Sequence, residues 1–195
     1  MRASAGFIVA LLGGTALGVA HAQGTMPPAR GVGLSAGAGV TYGDLVSGDF
    51  KGTKAAVGFD ANVGVVIRRW QLGVGYDRTN YGRDDTDGDF IVTNIYVEPR
   101  LLFASPTHRL TPYAVARLGH AAATYEGVLG ITDKATGYMA GVGAGMLWPI
   151  VHHAQIDAAA HYARLSHDYG TGGYADAEKG GRASARVGVR VGRTR

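Results

Sequence analysis

Four groups of residues in this 195-residue chain carry side chains that could do chemistry. The first is acidic: Asp84, Asp85, Asp87 and Asp89 in RDDTDGD. Carboxylates this close could hold a divalent cation. A calcium loop of the EF-hand type needs D-x-D-x-D-G spacing and a glutamate at its twelfth position. Neither is present, so the segment reads as a solvated acidic loop. The second group is His161, Ser166, His167 and Asp168, the residue types of a hydrolase triad. A nucleophile must sit within hydrogen-bond reach of its base. His161 falls at an inward strand position and Ser166 begins a loop, so no catalytic residue is assigned. The third is His152-His153, in a turn without a carboxylate or cysteine partner, a surface pair with no metal or cofactor assigned. The fourth is a set of isolated charges, Asp60, Asp77, Glu98, Arg100, Arg117, Asp157, His161, Arg186 and Arg190. Each lies in an alternating stretch, so the elements that carry them decide what they do.

Residues Ala56 to Tyr81 (AVGFDANVGVVIRRWQLGVGYDRTNY) show the pattern best. Val57, Phe59, Ala61, Val63, Val65 and Ile67 alternate with Gly58, Asp60, Asn62 and Gly64. A period of two is a strand with two different faces. After Arg68-Arg69 it restarts, with Trp70, Leu72, Val74 and Tyr76 on one face and Gln71, Gly73, Gly75 and Asp77 on the other. This is a hairpin. In a soluble sandwich the apolar face would be the inner one. Here the other face is glycine and isolated charge, a poor surface to present to water. The pattern therefore predicts an apolar face towards lipid and a polar face towards a closed lumen.

The same period marks strands over 32–42, 90–103, 110–125, 136–148, 154–165 and 182–192. Placing Arg117 inward sets the alanine-blurred register of 110–125 and puts His120 outside. Pro99 cannot donate to a ladder, so a bulge or a missing bond is expected there. Long loops over 43–54, 82–89, 126–134 and 166–181 alternate with short turns. Lipid demands that every backbone group be paired, which forces closure. The fold class is all-β: an eight-stranded antiparallel up-and-down transmembrane β-barrel. Trp70, Phe103 and Trp148 fall at the turn side, Tyr42 and Tyr162 towards the loop side. These suit two interfacial aromatic girdles.

Composition removes other classes. With 46% hydrophobic and 17% charged residues the chain is not a disordered one. It has no cysteine, which excludes a disulfide framework and a cysteine-based zinc site. Its basic residues are dispersed despite a net charge of +4, so no nucleic-acid partner is expected. Met1-Arg2, the apolar run Phe7 to Val19 and Ala20-His21-Ala22 form a secretory signal over 1–22, cut before Gln23. Residues 23–31 are a flexible lead-in, 32–192 the barrel and 193–195 a basic tail.

With the strands placed, TPYAVARLGH (111–120), TGYMAGVGAGMLWPI (136–150), AQIDAAAHYARLS (154–166) and SARVGVRVG (184–192) resemble the small eight-stranded outer-membrane barrels. These are the OmpA-type transmembrane domains, OmpX and the opacity-type surface proteins. The resemblance runs over 32–192. It implies the outer membrane of a Gram-negative cell, contact with lipid and lipopolysaccharide, and insertion by the barrel-assembly machinery. It also implies a role in envelope integrity, surface contact or adhesion, with host or surface ligands met through loops 43–54, 82–89, 126–134 and 166–181. Such proteins usually finish on an aromatic, whereas Arg193-Thr194-Arg195 follow here; Val187, Val189 and Val191 keep the alternation. No OmpA-like periplasmic domain is expected. Three other readings compete. A small ion or solute pore is one. A lipid A-modifying barrel is another, although the H-x-S spacing such enzymes resemble is absent. A soluble secreted binding barrel would turn its apolar face inward.

The interior carries the sharper expectations. Asp60, Asp77, Glu98 and Asp157 oppose Arg100, Arg117, Arg186 and Arg190, four of each sign. Charges in a narrow lumen are costly unless paired. Hairpin counting sets Glu98 level with Arg117, Asp157 with Arg190, and His161 with Arg186. Asp60 faces Asp77 with no evident local cation, a weak point or a site for a bound cation. The inward glycines let large inward residues of the next strand lie across them. Eight strands leave an interior just filled by side chains, so no wide channel is expected.

Overall fold

The computed structural model describes residues 32–48, 54–82, 89–104, 109–126, 132–151, 153–168 and 178–193. The expected leader and lead-in, Asp84, Asp85, Asp87, His152, Thr194 and Arg195 lie outside them. The eight strands are β1 (Val32–Gly48), β2 (Ala56–Ile67), β3 (Trp70–Gly82), β4 (Asp89–Leu102), β5 (Thr111–Glu126), β6 (Thr132–Val151), β7 (Ala154–Asp168) and β8 (Glu178–Arg193). Each pairs antiparallel with the next, and β1 pairs with β8, so the sheet closes on itself. Ile67 pairs with Trp70, leaving Arg68-Arg69 as a two-residue loop. Arg68 has φ 56°, the positive φ that a II′ hairpin turn needs at its first loop position.

The ladders run past the expected strand ends. β1 continues to Gly48, β7 to Asp168, and β8 begins at Glu178. The reason is inside. Leu45, beyond the expected end of β1, is buried together with Tyr81, Phe90 and Leu165 at the expected ends of their strands, so the inward apolar row continues upward. The outward residues there, Asp44, Ser47 and Ser166, are polar and made the same segments look like loops. At the turn side β6 runs on to Val151, with an irregularity between Pro149 and Val151, where a turn was expected to begin. At Pro99 the register across to β5 is unbroken, but Glu98 and Pro99 have no ladder partner there. The missing bond is present and the bulge is not.

Outward apolar side chains are bare: Leu34 is 71% exposed, Val63 62% and Val142 64%. So continuous an apolar exterior needs a solvent other than water. The lumen is stacked in three layers. Leu45, Tyr81, Phe90, Val92, Met139 and Leu165 form an apolar cap towards the loop rim. Leu102, Tyr113, Val115 and Leu147 form an apolar floor, with Val66 packed against it. Between them lie the charges.

Candidate functional site

All nine inward charged residues expected from the sequence are buried: Asp60, Asp77, Glu98, Arg100, Arg117, Asp157, His161, Arg186 and Arg190. Strand parity puts them there, since each occupies the inward position of its strand and its two chain neighbours face out. Six of them close a ring of alternating sign. Asp157 accepts from Arg186 Nη2 at 2.7 Å, and Arg186 Nη1 reaches Asp60 Oδ1 at 2.7 Å. Arg117 Nη2 lies 3.2 Å from the other oxygen of Asp60, while its Nε is 2.5 Å from Glu98 Oε2. Arg100 Nε donates to Glu98 Oε1 at 2.5 Å, and its Nη1 returns to Asp157 at 2.8 Å. Within the ring each carboxylate therefore takes two guanidinium groups, and each guanidinium group bridges two carboxylates.

Neutral donors lock the ring. Tyr113 OH donates to Asp157 Oδ1 at 2.5 Å, and Tyr96 OH donates to Asp60. The same two phenols carry cations on their faces, Arg100 at 4.7 Å from the Tyr113 centroid and Arg117 at 4.3 Å from that of Tyr96. Two glycines make room for them. A Cβ on Gly75 would lie 2.6 Å from Tyr96 Cε2, and one on Gly145 would lie 2.5 Å from Tyr113 Cζ. Each glycine is the cross-strand partner of its tyrosine. The expectation that inward glycines lie beneath large neighbours holds at both.

Two expectations need correction. Asp60 and Asp77 do pair across β2 and β3, but neither lacks a cation. Arg186 and Arg117 serve Asp60, and Arg182 Nη1 is 2.8 Å from Asp77 Oδ1. These partners stand 126, 57 and 105 residues away in the chain. Hairpin counting sees neighbours along the wall, whereas long guanidinium arms cross the lumen. The second correction is the β7–β8 register. Asp157 pairs with Gly188 and His161 with Ser184, two residues from the expected partners. Asp157 consequently lies between Arg186 and Arg190 and bonds both, the latter at 3.1 Å. His161 is inward, but its Nε2 has no hydrogen-bond partner among the described residues.

The sequence reading missed Arg182. It is 3% exposed, and with it, among the described residues, five buried arginines oppose four buried carboxylates. Its signal was its parity: it continues the inward series of Arg186 and Arg190, but lay at the expected first residue of the strand. Asn62, Asn94, Ser35 and Gln71 were missed as well. Asn62 bridges Arg190 and Asp60, and Asn94 donates to Asp77 at 2.8 Å. Gln71 Nε2 donates to Ser35 at 2.6 Å.

The remaining candidates do not converge. Ser166 occupies an outward position of β7, while His161 and His167 are inward and buried. His120 is exposed on the outer face of β5, as the Arg117 register requires, and His153 is exposed at the turn. Among the described residues no three His, Asp or Glu side chains gather as a metal-holding group. Tyr42, Trp70, Phe103, Trp148 and Tyr162 are all outward, with exposures from 46% to 61%. Trp70, Phe103 and Trp148 lie at the turn rim.

A closed barrel with a polar, filled lumen and an apolar exterior can be compared with known proteins. Neisserial surface protein A is 20% identical, with a TM-score of 0.62 over 83% of this chain and 97% of its own. The N-terminal β-barrel domain of Pseudomonas aeruginosa OprF is 18% identical, with a TM-score of 0.52 over 82% and 97%. AlkL, solved in DMPC lipid bilayers, is 11% identical, with a TM-score of 0.52 over 88% and 94%. At these identities the likeness concerns the fold. No curated protein matches the chain. The profile of the outer membrane protein beta-barrel domain matches residues 7–192, which is nearly the whole sequence. This chain therefore belongs to the outer membrane protein beta-barrel family, whose place is the outer membrane of Gram-negative cells.

Proposed function

We propose that the protein is a non-enzymatic, non-conducting anchor that serves envelope integrity and surface contact through its four loop segments. The observation that carries this reading is the ring of Asp157, Arg186, Asp60, Arg117, Glu98 and Arg100, which spans the lumen between two apolar layers. A solute would have to break several buried ion pairs and part both apolar layers, so the work of the molecule falls to its ends. The outward Ser166 and the inward His161 and His167 leave a lipid A-modifying reaction without an assembled nucleophile and base among the described residues. In this reading a leader over 1–22 directs export and the barrel-assembly machinery inserts the chain. Segments 43–54, 82–89, 126–134 and 166–181 then lie outside the cell, beside lipopolysaccharide.

The test uses intact cells. External protease should cut within 166–181 or 82–89 and never within 105–109. A strain carrying the barrel with all four segments replaced by short Gly-Ser linkers should admit more hydrophobic dye, or attach less to surfaces, than one carrying wild type. Cleavage at 105–109, or a linker strain indistinguishable from wild type in both assays, would sink the proposal.

A further inference from the structure

Seven of the eight strand pairings join strands that follow one another in the chain. The eighth joins β1 to β8, the two ends of the barrel, and no connection sets its register. Its faces do not set it either. Outward, Ala36, Ala38 and Val40 meet Val191, Val189 and Val187, and a slip of two residues leaves such a row apolar. Inward, Gly37, Gly39 and Gly43 meet Arg190, Gly188 and Ser184. Glycine-rich ladders specify register weakly. We propose that Arg182, Arg186 and Arg190 of β8 are a register key, three arms that reach past β1 and lock the closing seam at one position.

The three arginines recur on the inward face of β8, each buried. At about 3.3 Å per residue, successive arms stand about 13 Å apart along the strand. Each finds its acceptor beyond β1. Arg182 reaches β3, with Nη1 2.8 Å from Asp77 Oδ1 and Nη2 2.9 Å from Thr79 Oγ1. Arg186 reaches β2, with Nη1 2.7 Å from Asp60 Oδ1. Arg190 also reaches β2, with Nη2 2.7 Å from Asn62 Oδ1. β1 lets two of these arms through. A Cβ on Gly37 would lie 3.2 Å from Arg190 Nη2, and one on Gly43 would lie 3.3 Å from Arg182 Nε. A side chain at either position would press on the arm.

A two-residue slip of β8 against β1 is therefore cheap for the wall and costly for the lumen. It would carry each guanidinium about 7 Å along the strand, out of hydrogen-bond reach of its acceptor. Asp60, Asp77, Thr79 and Asn62, all buried, would lose these donors together. Arg186 belongs to the ring as well, but Arg182 and Arg190 lie outside it, and three heights fix a position more firmly than one. Strand stagger and barrel size are linked, so the same key fixes the girth of the barrel. Arg100 makes the contrast. It is as deeply buried, but it bonds Glu98 on its own strand and Asp157 on β7, and its contacts do not depend on where β1 meets β8.

The chain has no cysteine, so introduced pairs can report the register of the seam. Ala38 and Val189 are opposed on the outer face, and a slip of two would set Ala38 against Val187 or Val191. Ala38→Cys is combined in turn with Val189→Cys, Val187→Cys and Val191→Cys. Each full-length barrel is refolded in phosphatidylcholine bilayers and oxidised, and the cross-linked fraction is read on a gel. Opposed positions lie within disulfide reach and diagonal ones do not. With all arginines in place only the Val189→Cys pair should close. Adding Arg182→Gln/Arg190→Gln should raise closure of a slipped pair at least about tenfold, the factor that one charge-assisted hydrogen bond is worth. Adding Arg100→Gln should not raise it. If the double variant does not fold, Arg190→Gln alone should raise the slipped pair. A slipped pair that fails to rise in the folded key variants would overturn the proposal, and so would an equal rise with Arg100→Gln.

Discussion

The two faces of this barrel wall are made by alternate residues of the same strands, yet they hold by opposite means. On β3, Trp70, Leu72 and Val74 face out and are 53% to 57% exposed, while Gln71 and Asp77 face in and are at most 3% exposed. The outer face works collectively. Any apolar residue of similar size satisfies lipid, and no outward side chain needs a named partner. The inner face works pairwise. Asp157 is served by Arg100, Arg186 and Arg190, and no substitute charge elsewhere could replace it. Composition suffices to build the outside, whereas the inside requires particular residues at particular heights.

That contrast can be broken most sharply from within. Asp157→Asn keeps shape and removes the charge on which three guanidinium groups converge. Breaking a buried pair from one side costs about 3–5 kcal/mol. Urea unfolding of the refolded barrel in lipid should show a loss of that size; a loss under about 1 kcal/mol would mean the ring does not hold the lumen together. The outer face predicts a different sensitivity, to the presence of charge rather than to its absence. Val63→Arg or Val142→Arg, each on the bare outer wall, should cost about 2–4 kcal/mol at mid-bilayer depth. Val142→Leu should be nearly neutral by comparison. Equal losses for Arg and Leu in the same unfolding assay would remove lipid from that face.

A third experiment sharpens the pairwise claim. Arg117 Nε and Glu98 Oε2 are 2.5 Å apart, so the double variant Glu98→Ala/Arg117→Ala should cost less than the sum of the singles. A coupling of about 1–3 kcal/mol is expected for partners in one network. Strict additivity would mean the two side chains do not meet. The same cycle on Val63 and Val142 should give none, since β2 and β6, which carry them, are not neighbouring strands.

These comparisons also explain what the sequence could and could not reveal. Period-two alternation yields strand number, strand faces and closure, because each follows from local chemistry repeated eight times. All nine inward charges follow from the same parity. Glu98 and Arg117 meet as hairpin counting set them, but other partners did not follow, because those contacts cross the barrel: Arg186 meets Asp60 from 126 residues away. Hairpin counting worked where a two-residue turn fixes register, as at Ile67 and Trp70. It failed between β7 and β8, where a long connection leaves register to the packing of both faces. Strand ends were misjudged for a related reason. Beyond the expected end of β1 the outward Asp44 and Ser47 are polar, while Leu45 keeps an apolar side chain inward, clustered with Phe90 and Leu165. Arg182 was lost at one such end.

The central claim is that the ring and its two apolar layers close the lumen, and planar-bilayer conductance of the refolded mature protein tests it most directly. Wild type should show no steady current. Asp157→Asn, which loosens the ring, should at most flicker. A large, steady conductance from wild type would contradict the closed lumen and return the molecule to the class of pores.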